Sequence, residues 1–272
     1  LTEFKTIDTT IKAKEFCTTF QEEIMRIIYA VVLTLFIGTG CTSGTKNADG
    51  VSYFIDQQAT AAAQWPIGAT VAEGRESERK FLGVTDQGYY LVQEFYSQSE
   101  IKRTDPYVVV DAESVSSARP NVVGKYVTWF ANGQKRSEDS VKDRHYEGFS
   151  IAWHDNGQQM EKGLIKNGKR QGLWIIWYRD GKKKQQENYR HGNRQGLVIY
   201  WDENGQKSLE ANYVDGKQEG RMTAWYENGQ MMSESFFHDD KLHGAYTRWE
   251  EDGRMSSRSI YENGDEVETV YY

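Results

Sequence analysis

Cysteine and proline are nearly missing: 272 residues hold two of the first, Cys17 and Cys41, and three of the second. So little cysteine excludes a disulfide-stapled scaffold, and so little proline excludes an extended proline-rich linker. Long apolar runs are scarce as well. The most apolar stretch, Ile27 to Gly38, is 12 residues long, well short of the roughly 20 that span a bilayer as a helix. There is no basic excess, since the net charge is −7, and this removes the electrostatic footprint of a nucleic-acid-binding protein. Reaction motifs are lacking too: no Gly-x-Ser-x-Gly, Walker loop or Gly-x-Gly-x-x-Gly occurs. His145, His154, His191, His238 and His243 show no pair at helical metal spacing and no cysteine nearby. The expectation is a protein that is not an enzyme and uses neither metal nor cofactor.

What the chain does contain is repetition. Trp129, Trp153, Trp177, Trp201, Trp225 and Trp249 stand 24 residues apart, and each is followed four residues later by Gly133, Gly157, Gly181, Gly205, Gly229 or Gly253. A third column, Gly124, Gly148, Gly172, Gly196, Gly220 and Gly244, opens each unit. Three columns in register without an insertion define an array of six units over residues 124–267. Alternation before the tryptophan, as in Leu173, Ile175, Trp177, predicts a strand with one buried face. The Asn-Gly or Asp-Gly that follows predicts a hairpin whose two central residues take positive φ. A second strand returns towards Val141, Ile165, Tyr189, Tyr213, Phe237 or Tyr261, and a second turn at Gly168, Gly192, Gly216 or Gly264 closes the unit. Arg144 and Asp240 interrupt that last column, which suggests a less demanding turn there.

Hairpin joined to hairpin makes an antiparallel meander of about twelve strands. That is more than a flat open sheet usually sustains, so an elongated, coiled all-β array is expected. The mean hydropathy of −0.75 fits a thin sheet rather than a thick core, with 17 Tyr, 11 Phe and 8 Trp supplying apolar area through rings.

The N-terminal part has a different character. Met25-Arg26 ahead of the apolar stretch has the order of a secretory signal over residues 25–40, with a signal helix, which makes residues 1–24 a gene-model extension or a disordered segment. Small residues before Cys41 resemble the lipobox of bacterial lipoproteins, with Gly38 where leucine is usual, and that resemblance implies lipid attachment at Cys41. Residues 41–80, rich in Ala, Gly, Ser, Thr and Gln, are expected to be a solvated tether with a short strand near Val51–Ile55. Residues 81–123 carry a worn copy of the unit, with Phe95 for Trp and Ser99 for Gly, and suit a capping repeat. Residues 268–272 are left as a tail.

The units Trp153-His-Asp-Asn-Gly-Gln158, Trp201-Asp-Glu-Asn-Gly-Gln206 and Trp225-Tyr-Glu-Asn-Gly-Gln230 resemble the bacterial MORN repeat variant, and the array is similar to the YwqK-type antitoxin family. The resemblance implies a hairpin-stacked interaction module without catalysis. Taken with the export signal, it gives a membrane-anchored envelope lipoprotein, or alternatively a secreted protein, that presents its sheet to a protein partner. Two alternatives stand beside this: an antitoxin or immunity-like protein that occludes a toxin, and a structural envelope protein that contacts glycan or membrane.

Positions that recur in every unit are expected to be structural, namely the Trp column and the residues two before it. Function is expected where the units differ, on the opposite strand face. Trp174, Tyr178, Tyr200, Met222 and Tyr226 would form a ring-rich, central partner-binding patch there; the alternative is that the sheet curls and buries both faces in part.

Overall fold

The computed structural model describes residues 44–46 and 52–272. The expected signal segment and Cys41 lie outside the described residues. β1 (Gly44–Lys46) and β2 (Ser52–Phe54) pair with each other, and α1 (Gln57–Ala62) follows. β3 (Thr70–Glu73), β4 (Ser77–Val84), β5 (Tyr90–Tyr96) and β6 (Tyr107–Val109) then form an antiparallel run, and α2 (Ala112–Ser116) precedes the array. The array strands are β7 (Val122–Trp129), β8 (Lys135–Lys142), β9 (His145–Tyr146), β10 (Gly148–Trp153), β11 (Gln159–Lys166), β12 (Lys169–Trp177) and β13 (Lys183–Arg190). They continue as β14 (Asn193–Arg194), β15 (Gly196–Trp201), β16 (Lys207–Val214), β17 (Lys217–Trp225), β18 (Met231–His238), β19 (Lys241–Trp249), β20 (Met255–Glu262) and β21 (Asp265–Tyr271).

β3 to β21 make one open antiparallel sheet of 19 strands, each paired with its neighbour in the chain except that β10 pairs back to β8 and β15 to β13. β9 with β10, and β14 with β15, are single strands of the repeat interrupted before a glycine, so the six units supply the twelve strands that the periodicity predicts. β21 adds one more, pairing Glu268 with Ile260 and Tyr271 with Ser257, so residues 268–271 are sheet rather than tail.

The two turns of each unit exchange the roles expected of them. The second turn holds two residues, both left-handed: Asn167 and Gly168 at φ 50° and 71°, His191 and Gly192 at 52° and 91°, Asp215 and Gly216 at 49° and 93°. Arg144 and Asp240 take the same conformation, at 64° and 65°, so the turn is no less demanding where glycine is replaced. In the Asn-Gly turn only the glycine is left-handed, because Trp129 pairs with Lys135 and leaves five residues in the loop. The asparagine there serves through its side chain. Oδ1 of Asn132, Asn156, Asn204 and Asn228 accepts from the N–H two residues on, at 2.8–3.1 Å. Nδ2 of Asn132, Asn156 and Asn228 donates to the carbonyls of Asp155, Arg179 and Glu251 in the next unit, at 2.6, 2.8 and 2.9 Å. One amide closes its own turn and ties it to the next, which an aspartate could not do.

A matching set of bonds runs along the other end of the hairpins. In four units the residue before the opening glycine accepts from the second turn of the following unit: Glu147 from Asn167 N, Gln171 from His191 N, Gln195 from Asp215 N and Glu219 from Asp239 N, at 2.6–3.1 Å. Lateral polar bonds at both ends therefore hold a sheet that has little apolar core of its own.

The apolar core proper sits in the cap. Phe81, Val84, Val92, Tyr107, Val109 and Val115 are buried together, with Ala59, Ala63, Trp65 and Val71 packed on them. The tether expected over 41–80 is corrected here, since from Ser52 onward it supplies β2, α1, β3 and the first half of β4. Asp111 caps the N-terminus of α2 by accepting from Ser114 N at 2.7 Å. Buried Arg79 receives the other end, donating to the Val115 and Ser117 carbonyls, both at 2.9 Å, while it pairs with Glu94, also at 2.9 Å. Tyr96 donates to the Trp129 carbonyl at 2.8 Å, the bond that Tyr178 makes to Trp201 and Tyr226 to Trp249 within the array. The Phe95-Tyr96 strand thus engages the array as a repeat does.

Candidate interaction surface

Strand alternation divides the array side chains between two faces. One carries Phe149, Ile151 and Trp153, then Leu173, Ile175 and Trp177, then Leu197, Ile199 and Trp201, opposite Lys162, Gln186 and Glu210 on the returning strands. The other carries Trp174, Val198 and Met222, opposite Glu187, Ala211 and Ser235.

On the Trp face the rings do not stack on one another; among the described residues no two of the six tryptophans pair. Rings of equivalent strands lie about 9.6 Å apart, two strand spacings, which is too far for contact. Lysines fill the gaps. Lys135 Nζ lies 5.8 Å from the Trp129 ring centre and 5.3 Å from that of Trp153, Lys183 lies 5.6 Å from Trp201, and Lys207 lies 6.0 Å from Trp225. Each of these lysines faces the tryptophan of its own hairpin and reaches over that of the next. The tryptophans are consequently half-buried, and the residue two before them is the more buried one, with Val127, Ile199, Thr223 and Thr247 nearly inaccessible.

On the opposite face, Trp174 is not offered at the surface as expected. It is 4 % exposed and lies flat against Gly163, where a Cβ would come within 2.0 Å of the ring. Its Nε1–H donates to the Leu164 carbonyl at 3.1 Å, and the Arg170 guanidinium lies 4.1 Å from its ring centre. Arg170 also pairs with Glu161. Opposite Trp174, Glu187 is 2 % exposed and accepts from Arg194 at 2.7 Å, from Tyr200 at 3.3 Å and from Tyr189. Burial, then the Glu187 bond, raises the Tyr189 phenol above its ordinary range. Tyr178 and Tyr226 are half-buried, with their hydroxyls committed to backbone carbonyls. Met222 is half-buried, its sulfur 3.1 Å from Gln218 Nε2. The structure thus brings Trp174 and Tyr200 together around Glu187, puts Tyr178 and Tyr226 at the loop ends, and leaves the five without a common exposed surface.

Exposed apolar area is found instead at a column that sequence reasoning passed over. Phe149, Leu173 and Leu197, each following an opening glycine in three consecutive units, are 63 %, 47 % and 41 % exposed. The same position holds Lys125 and Arg221 in the flanking units, paired with Glu138 and Glu234. Around the patch, Lys162 (5.8 Å from the Phe149 ring centre) and Lys183 (bonded to Gln186) form no ion pair among the described residues, whereas Glu138 and Glu210, opposite Ile151 and Ile199, are each paired with a lysine. The signal available in the sequence was the switch from cation to apolar residue at one repeat position.

No curated protein matches the chain. Residues 170–191, 194–215 and 218–239, which are the third, fourth and fifth units of the array, match the model of the MORN repeat variant.

Proposed function

We propose that the protein is a non-enzymatic interaction scaffold, held at the cell envelope through a lipid on Cys41, whose Trp face binds a protein partner across the second to fourth units. The observation that carries this reading is the exposed row Phe149, Leu173 and Leu197, an apolar patch of the kind that marks partner surfaces. Lys162 and Lys183 give the patch a local positive charge within an array of 22 basic and 24 acidic residues over 124–272. A partner segment with an apolar row flanked by carboxylates complements it. Glycan is the weaker ligand for this face. Sugar rings stack on open indole faces, whereas here lysine ammonium groups lie over Trp129, Trp153, Trp201 and Trp225.

The test is co-purification from detergent-solubilised membranes, comparing the native chain with a Phe149→Ser, Leu173→Ser, Leu197→Ser variant. Loss of one stoichiometric protein by the variant, with an unchanged β-sheet circular dichroism spectrum, supports the assignment. Equal recovery removes the Trp face from consideration, and retention on peptidoglycan in place of any protein turns the reading to a structural envelope role. Palmitate labelling that disappears with Cys41→Ser tests the tether separately.

A further inference from the structure

Where the cap meets the array, the chain leaves its 24-residue plan. α2 and the loop after it lie against the first hairpin, and between them is a cavity of about 610 Å³ lined by α2 residues together with Arg119, Asn121, Val122, Tyr126, Val141, Arg144 and Tyr146. That volume lies in the range of small-molecule sites. Its apolar wall is made by Val122, Val141 and the rings of Tyr126 and Tyr146.

Several polar groups around it are already committed. Asp111 caps α2, and its carboxyl is held below the usual range first by its bonds to Ser114 and further by the Arg144 charge. Arg144 Nε and Nη2 lie 2.9 and 3.2 Å from the Asn121 side-chain amide. Arg144 stands in the left-handed conformation, where four of the other five units have glycine, so a charged side chain is placed at this cavity at the expense of backbone strain.

Three groups have no partner among the described residues: the Arg119 guanidinium, the Glu113 carboxylate and the Tyr126 hydroxyl. Arg119 and Glu113 are exposed at the rim and do not pair with each other. Tyr126 is half-buried, edge-on to Tyr107 with ring centres 5.0 Å apart. Burial, with the Glu94 charge second, pushes its phenol up to about 12, so at neutral pH it remains a hydroxyl able to donate.

Among the described residues, Arg119 supplies an unpaired cation and Glu113 an unpaired anion at the rim of a ring-lined cavity, which suits a ligand that carries both charges. We infer that this cavity binds a small zwitterion with an apolar or aromatic body, an α-amino acid, with its carboxylate on Arg119, its ammonium on Glu113 and its side chain against Tyr126, Tyr146, Val122 and Val141. The site is separate from the Trp face and does not depend on it.

Titration calorimetry of the full chain with L-phenylalanine, phenylacetate and L-phenylalaninamide tests this. The two analogues each lack one charged group of the amino acid. Phenylalanine should bind about tenfold more tightly than either analogue, in line with about 1.4 kcal/mol for each charge-assisted contact. Arg119→Gln should abolish the preference over the amide, and Glu113→Gln the preference over phenylacetate; both residues are exposed and can be exchanged without unfolding the cap. No heat of binding from phenylalanine up to about 10 mM, a ceiling near 3 kcal/mol of affinity, would overturn the inference. Equal binding of the three probes, or indifference to both substitutions, would do so as well.

Discussion

Gly163→Ala should destabilise the array by about 3 kcal/mol, although the same exchange at an ordinary strand position with compatible backbone stabilises by about 0.4–1 kcal/mol. Gly163 is absent from the positive-φ residues, so an alanine there meets no backbone penalty. Steric contact with the ring sets the sign. An added Cβ would lie 2.0 Å from Trp174 Cδ2, 2.1 Å from Cε2 and 2.5 Å from Cγ, distances at which something must move. The indole cannot slide away easily, held as it is by the Leu164 carbonyl at 3.1 Å, by Arg170 above it and by Tyr189 edge-on at 6.5 Å. Overpacking costs about 1–3 kcal/mol, and expelling the ring altogether would cost the 3–5 kcal/mol of a buried Trp→Ala exchange, so the expected value lies where the two ranges meet.

Urea unfolding followed by tryptophan fluorescence and by circular dichroism measures the loss as a lower midpoint at unchanged slope. A cycle with Trp174→Ala sharpens the result. Once the ring is gone the alanine has nothing to strike, so the double variant should be no less stable than Trp174→Ala alone, giving a coupling as large as the single cost. A Gly163→Ala midpoint at or above the parent, or strict additivity in the cycle, would refute the packing argument.

Trp174→Ala itself should cost about 3–5 kcal/mol and Trp177→Ala only about 2, because the first ring is buried and the second half-covered; chemical denaturation of the two variants side by side checks the order. Gly192→Ala should cost about 1–2 kcal/mol by conformation alone, since φ is 91° and the nearest atom to an added Cβ is at an ordinary 3.5 Å; calorimetric melting would show it. Asn156→Asp keeps the acceptor for Gln158 N but sets a carboxylate oxygen against the Arg179 carbonyl in place of a donor, and should lose about 0.5–1.5 kcal/mol in the same assay. His238, bonded to Glu219 at 3.0 Å, has its pKa raised above the ordinary 6.5, chiefly by that bond, and Glu219 has its own lowered below 4.5, chiefly by the same bond. The histidine contribution is therefore complete below pH 6.5 and lost as pH rises through the shifted value, while the glutamate contribution is complete above pH 4.5 and lost on acidification. An NMR titration of His238 that does not fall back towards 6.5 in Glu219→Gln would contradict this.

The period, the strand alternation and the twelve array strands were legible in the sequence because each unit repeats the same local chemistry and register. Turn type was not. Asn-Gly suits a two-residue turn with both φ positive, and equally a longer loop in which only the glycine is left-handed; the register of Trp129 with Lys135 decides between them. Which side chains are covered was open in the sequence for a related reason. Alternation tells which side chains share a face, but in a single-layer sheet nothing marks which face is covered. Gly163, a glycine outside all the periodic columns, was the available hint that a ring lies on it. Residues 52–80 looked like a tether because the segment contributes only a few apolar groups, Ala59, Ala63, Trp65 and Val71, to a core whose larger share comes from later strands.

Stacking explains most of what recurs in the array. The asparagine amides, the residues before four of the opening glycines and the left-handed turn glycines all make bonds or take conformations that each hairpin needs against the next. In the column of Lys125, Phe149, Leu173, Leu197 and Arg221 the two basic residues pair with Glu138 and Glu234, while the three units between them agree on a large apolar side chain left open to solvent. A stability requirement would have covered those side chains or spread them over all six units. Leu173→Lys therefore separates the two demands: exchange at an exposed position outside the bonding network should leave the unfolding midpoint within about 0.5 kcal/mol of the parent, while it breaks the apolar row at its centre and abolishes partner recovery. A variant that unfolds early would place Leu173 among the stacking positions, and one that is stable and still recovers the partner would move the binding surface off the Trp face.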